Sequence, residues 1–208
     1  MIFSYNKEAV GDTLLVIAAN VKGQEVNQDS RGLITRVFVK ETGETVGWNF
    51  FDISTKLTDL KGNGQVHLTN EQLALLNELL AAEGFSEQVT DDRLPKIVTG
   101  FVKSCKVHPD SDHLSITQTE VDNGDILQIV CGAPNIKAGL KVVVAKPGAM
   151  MPDGLVIWPG ELRGEVSHGM ICSARELHVP NAPVARGILE LPFDNEVGKE
   201  FIGSNYIL

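Results

Sequence analysis

The chain has 208 residues, 43% of them hydrophobic and 22% charged, with only three cysteines, which excludes collagen-like, disordered and disulfide-dense classes. Its net charge of -9 argues against a general nucleic-acid coat, because phosphate binding runs on Lys and Arg. Both halves carry more acidic than basic groups, so nucleic-acid binding would need cations gathered into a local patch.

The length suits one large or two small domains. Cys105, Cys131 and Cys172 form an odd, sparse set without a Cys-x-x-Cys pair, which fits a reducing compartment. The start, Met1 to Asn6, lacks a signal peptide's charged and apolar regions, and the longest apolar run, Leu14 to Ala19, is far short of a membrane span. The expectation is a cytoplasmic protein with no membrane partner.

Residues 2–60 read as short strands. Thr13 to Ala18 is a continuous apolar run suited to a central strand, Leu33 to Lys40 is β-branched and apolar, and Thr45 to Ile53 returns after a turn at Glu41 to Glu44. Asn49 and Asp52 interrupt that return. Lys61 to Gly64 reads as a loop. Thr69-Asn-Glu-Gln72 has capping-box spacing and opens a helix whose Leu73, Leu76, Leu79 and Leu80 share a face, with Gly84 as its stop. The polar stretch Glu87 to Pro95 marks a domain boundary. The chain thus divides into an α+β domain over 1–90 and a β-rich domain over 91–208.

The second half has an all-β rhythm. Ile97 to Val107 is a long strand, with Val98, Gly100, Val102 and Ser104 predicted on one face and Phe101, Lys103 and Cys105 on the other. Leu114 to Val121 and Ile126 to Cys131 flank Asn123-Gly124, the signature of a type I′ hairpin. Lys141 to Ala145 and Gly154 to Trp158 read as two more strands. Arg163 to Val179 reads as a strand running into a short helix: Gly169 allows close backbone approach, and Ser173-Ala-Arg-Glu176 has capping-box spacing. Five or so short strands with one small helix suit a small barrel, although strands alone leave a sandwich open.

Three ordered motifs carry a resemblance. His108-Pro-Asp-Ser-Asp-His-Leu114, Gln128-Ile-Val-Cys-Gly-Ala-Pro-Asn135, and Arg163-Gly164 followed by Ser167-x-Gly169-Met170 and Ser173-Ala174 resemble the tRNA-binding domain of several synthetase-associated proteins. That family includes EMAP-II-like dimeric tRNA binders and the N-terminal part of bacterial phenylalanyl-tRNA synthetase β subunits. Ser111 stands where alanine is usual in the family and His113 where lysine is common. The resemblance covers residues 95–192, and the additional N-terminal residues resemble the stand-alone bacterial type. It implies a β-barrel OB-fold in the second domain, binding of tRNA at its outer corner, and association with an aminoacyl-tRNA synthetase. Some members form homodimers and others do not, so self-association stays open.

An OB-fold binds oligonucleotides on one face and its adjoining loops. Lys103, Lys106, Arg163 and Arg175 are the candidate phosphate contacts, and Ser167 and Ser173 the candidate hydrogen-bonding groups. The resemblance links Ser167 and Met170 to tRNA binding. The plain alternative is a solvated face for the four cations and a core plug for Met170; composition favours it, and the resemblance favours RNA. Few aromatics fall on the barrel strands, chiefly Phe101 and Trp158, which points to shape and backbone recognition of a folded RNA.

His108, His113, His168, Cys131 and Cys172 lack paired zinc-ligand spacing, so no metal or other cofactor is expected; His108-Pro109 reads as a turn lock. No hydrolase elbow, phosphate loop or zinc-protease motif is present. The rivals are a protein-interaction module that docks a synthetase or other partner, and a small trans-acting enzyme using Asp110, Asp112, His113 or Cys131.

Overall fold

Alternating apolar residues on four antiparallel strands build the first core. A computed structural model describes residues 1–206 and divides the chain into two units, the first spanning Met1–Arg93 and the second beginning at Leu94. In the first unit the strands are β1 (Ile2–Asn6), β2 (Thr13–Ile17), β3 (Val26–Arg31), β4 (Ile34–Val39), β5 (Thr45–Phe51) and β6 (Asn63–Val66), ordered β3-β4-β5-β2-β1-β6. A four-residue helix, α1 (Lys7–Val10), joins β1 to β2. The registers Phe3↔Val16↔Trp48 and Tyr5↔Leu14↔Phe50↔Ile34 stack these side chains on one face.

Helix α2 (Asn70–Ala82) covers that face with fully buried Leu76 and Leu80 and with Leu73 and Leu79 beside them. Both of its ends are set by local chemistry. Thr69 Oγ1 accepts from Gln72 N–H at 3.2 Å while Gln72 Oε1 accepts from Thr69 N–H at 2.9 Å, a complete capping box. At the other end Gly84, at φ +79°, lets its own N–H reach Ala81 O and Phe85 N–H reach Leu80 O.

The Lys61–Gly64 loop is corrected by β6. Asn63 and Gly64 already pair with Asn6 and Tyr5, and two glycines with no apolar alternation hid the edge strand. Asn49 does not interrupt β5. The strand runs to Phe51, and left-handed Asp52, at φ +49°, ends it in a single 3-10 turn.

The second unit contains β7 (Ile97–Val107), β8 (Ser115–Glu120), β9 (Ile126–Cys131), β10 (Lys141–Ala145), β11 (Gly160–Leu162), β12 (Glu165–Ser167), β13 (Met170–Ile171) and β14 (Glu190–Leu191). The main sheet runs β13-β10-β7-β8-β9, with β14 also on β10. The sheet curls back on itself: His168 N–H donates to Gln128 O at 2.8 Å and Val130 N–H to Ser167 Oγ at 3.1 Å, so β9 meets the β12–β13 step. The result is a near-closed OB-type barrel, filled by Val98, Val102, Ile129, Val142 and Val144 and by a second cluster around Cys172 and Leu177.

Asn123 and Gly124 both have positive φ, 60° and 78°, as the I′ turn requires. Gly169 is demanded twice, by φ +129° and because a Cβ there would lie 2.7 Å from Ala145 O.

Three expectations fail here. The face assignment on β7 holds only to Val102, because pairing with β8 slips between Val102 and Ser104 and leaves Lys103 in a β-bulge. Cys105, not Ser104, then returns toward the core cluster. Gly154 to Trp158 forms no strand; apart from a Met150↔Val156 bridge it wraps 148–151 through Met151 N–H on Leu155 O and Ile157 N–H on Ala149 O.

Finally, the Ser173 capping box forms, yet no helix follows. Ser173 Oγ accepts from Glu176 N–H, Glu176 Oε2 accepts from Ser173 N–H, and Leu177 N–H reaches Ser173 O. His178 at φ +50° and Pro180 then end the segment after one turn.

Candidate nucleic-acid interface

The end of β9 opens into a cleft of about 700 Å³. Its floor is the Cys131-Gly-Ala-Pro134 segment with Val130, Ile171 and Ile188; Met170 and the Ser173–Glu176 turn form one wall. Val184 to Gly187 form a second. Asn135 fixes this second wall. Its Nδ2 donates to Ile188 O at 3.1 Å and its Oδ1 accepts from Ile188 N–H at 2.9 Å, a strand-like pair made by one side chain. Gly187 lies against that amide, where a Cβ would sit 2.9 Å from Asn135 Oδ1.

The rim carries two arginines and two carboxylates. Arg175, His178 and Arg186 line the cleft and are exposed, and neither arginine has an ion-pair partner among the described residues. The acids on the rim are already engaged: Glu176 Oε2 accepts from Ser173 N–H and Oγ, both at 2.7 Å, and Asp153 Oδ1 from Leu155 N–H at 3.0 Å. Their charge remains, but those oxygens are held by hydrogen bonds.

The sequence-predicted residues divide into two groups. Met170, Ser173 and Arg175 share the cleft. Ser167 is 4% exposed, with its hydroxyl accepting from Val130 N–H and donating to Gly169 O, so it acts from beneath the surface.

Lys103, Lys106 and Arg163 do not line the cleft. Lys103 Nζ is 3.0 Å from Glu120, whereas Lys106 is exposed without an ion pair among the described residues. Arg163, at φ +50°, and Gly164 form the two-residue turn between β11 and β12, and Arg163 Nη1 donates to Asp110 O at 2.9 Å.

That hydrogen bond and buried His108 tie the His108–His113 loop to the hairpin. His108 Nδ1 accepts from Asp110 N–H at 3.0 Å, which puts the ring proton on Nε2, 3.2 Å from Leu162 O. With both nitrogens used, His108 locks the turn. Among the described residues no group of three or more His, Cys, Asp or Glu side chains is arranged to hold a metal.

Burial pushes the Cys131 thiol pKa up, and burial followed by the Glu176 charge pushes Cys172 to about 12. Neither thiol is activated as a nucleophile. Sequence reasoning missed Arg186, His178 and the role of Asn135; Asn135 belonged to a quoted motif, whereas Ala182 to Gly187 has no periodicity to mark it.

An OB-type barrel with an arginine-bearing cleft at its strand ends belongs to the class of oligonucleotide- and oligosaccharide-binding modules. Comparison with known proteins narrows this. Residues 97–200 match the family model described as "Putative tRNA binding domain", and residues 21–92 match a domain of unknown function, DUF4479. The "Putative tRNA-binding protein YtpR" of Bacillus subtilis is 47% identical over 197 residues, 95% of this chain and 97% of that one.

Two phenylalanine–tRNA ligase β subunits are also similar. That of Neisseria meningitidis is 40% identical over 142 residues, 67% of this chain, and that of Sulfurimonas denitrificans 52% identical over 108 residues, 52% of this chain. The chain spans only 18% and 13% of those subunits. The chain belongs to the family of this tRNA-binding domain. No helix among the described residues is long and apolar enough to cross a membrane.

Proposed function

We propose that this chain binds folded tRNA through its barrel, residues 91–208, without catalysis. The observation that carries the reading is the pair Arg175 and Arg186, unpaired cations over a preformed cleft in the unit that matches the tRNA-binding family. On this reading Met170, Ser173 and Arg175 contact RNA in the cleft, Lys106 and Arg163 meet backbone phosphates, Lys103 does so in competition with Glu120, and Ser167 positions the β12–β13 step. Positioning on phosphates carries no sequence preference.

Residues 1–90 form a companion domain, and a synthetase, a second copy of the chain and a cytoplasmic setting belong to the same proposal. The likeness to phenylalanine–tRNA ligase β subunits supports the synthetase association. The net charge of -9 favours the second reading, a protein-interaction module.

The test is a tRNA titration at low and moderate salt, with a DNA duplex and single-stranded RNA as controls. Salt-sensitive binding of tRNA above both controls is expected. Each phosphate contact removed by Lys106→Ala or Arg163→Ala should flatten the log–log slope by about 0.7 to 0.9. No tRNA binding at low salt would overturn the reading and give the barrel to protein contacts.

A further inference from the structure

We infer that the cleft between Cys131–Pro134 and Arg186 seats one unstacked nucleotide, with its base against Pro134 and Met170 and its phosphate between Arg175 and Arg186. The inference rests on the tRNA reading and adds what the cleft selects.

Size comes first. About 700 Å³ is in the range of small-ligand sites, roughly 300 to 1,000 Å³, and far too small for a stacked duplex. A paired helix can touch the rim but cannot enter. Only a nucleotide from a loop, bulge or end can turn its base inward.

The lining then selects what enters. Pro134 and Met170 offer apolar surface that tolerates any base face, and His178 is the one aromatic ring among the lining residues. The two guanidiniums are forks for phosphate oxygens, and their planes also stack on bases. The two cations come from different segments of the lining, Arg175 from the Ser173 turn and Arg186 from the segment clamped by Asn135, so a phosphate can draw on both while Glu176 and Asp153 stay engaged by their own hydrogen bonds. Both walls are held before any ligand arrives, one by the Ser173–Glu176 box and the other by the Asn135–Ile188 pair. Preorganisation of this kind lowers the ordering cost of binding. A free nucleoside monophosphate has the same chemistry as a nucleotide within RNA, and the test separates them.

The experiment labels methionine methyl groups with carbon-13 and follows the Met170 signal, assigned by its loss in Met170→Leu. Buried Met151 reports on the fold in the same spectrum. The probes are tRNA, a fully paired RNA duplex, each of the four nucleoside 5′-monophosphates, and inorganic phosphate.

The expected result is a Met170 shift with tRNA and with millimolar monophosphate, none with the duplex or phosphate, and displacement of monophosphate by tRNA. Arg175→Ala combined with Arg186→Ala should abolish that shift, leave Met151 in place, and weaken tRNA binding about tenfold or more at moderate salt. Binding of tRNA that leaves Met170 unmoved would overturn the cleft assignment while sparing the tRNA reading. A Met170 shift with monophosphate but no tRNA binding would make the cleft a free-nucleotide site and overturn both.

Discussion

Asn135 pairs with the backbone of Ile188 as a neighbouring strand would, donating to its carbonyl at 3.1 Å and accepting from its N–H at 2.9 Å. The first unit uses the same device, where Asn77 donates to Val89 O at 3.0 Å and accepts from Val89 N–H at 2.8 Å. In each case a primary amide satisfies one donor and one acceptor of an irregular segment that has no strand partner there. In the barrel the segment so held carries Arg186.

Asn135→Asp tests that clamp. A carboxylate still accepts from Ile188 N–H but cannot donate to its carbonyl, and it places negative charge beside Glu190, whose Oε1 now accepts from Asn135 Nδ2 at 2.9 Å. The expected loss is about 1 to 3 kcal/mol of stability. Hydrogen exchange at Ile188 should quicken, and tRNA affinity should fall because Arg186 is no longer positioned. Unchanged exchange at Ile188 would mean that the wall is held by something else.

Ser167→Ala should act on folding rather than on charge. The hydroxyl is buried and accepts from Val130 N–H, so its removal strands a donor where β9 meets β12, at a cost of about 1 to 3 kcal/mol. The salt slope of tRNA binding should stay as in the parent, because no phosphate contact is lost. A flattened slope with unchanged denaturation would instead place Ser167 at the RNA.

What the sequence disclosed follows the reach of each interaction. The bounds of β7, the Asn123-Gly124 turn and both ends of α2 were legible because neighbouring residues determine them. The bulge at Lys103 was not, since it records how β7 meets β8 rather than any feature of β7 itself. The Ser173 box was legible as chemistry and misleading as length: its hydrogen bonds form, but left-handed His178 and Pro180 stop the chain after one turn. Three of the cleft's parts, Cys131 to Pro134, Met170 and the Ser173 turn, lie in the quoted motifs. Its fourth, the wall with Arg186, is placed by a long-range side-chain clamp that no local pattern announces. Ser167 could be named from its motif, but its burial could not.

The capping of α2 gives a prediction confined to the first unit. Thr69→Ala removes the acceptor for Gln72 N–H and should cost about 0.5 to 2 kcal/mol. Gly84→Ala forces a Cβ into a left-handed turn, with a penalty of roughly 1 to 2 kcal/mol. If the two units unfold separately, a denaturant melt followed by Trp48 fluorescence should shift in both variants while the barrel's transition stays in place. Equal shifts in both transitions would show that the units unfold as one.

Burial of Cys172 makes the fold sensitive to alkaline pH. Cys172 is fully buried, and its thiol stays protonated up to about 12 in the folded chain against an ordinary 9.0. Between those values the folded state holds a proton that the unfolded chain has released, so stability falls as pH rises. Below the ordinary value both states carry the proton, and the full contribution is present. Tyr5, also raised by burial, and Cys131 act in the same direction, so the parent's total decline cannot be assigned to one group. Cys172→Ala isolates the thiol. The variant starts lower, because a buried sulfur that donates to Met170 O at 3.7 Å is gone. Its stability should then decline less steeply than the parent's through that window, so the two curves converge as pH rises. Parallel curves in paired urea melts across the window would show that Cys172 ionises no less readily in the fold than in the unfolded chain.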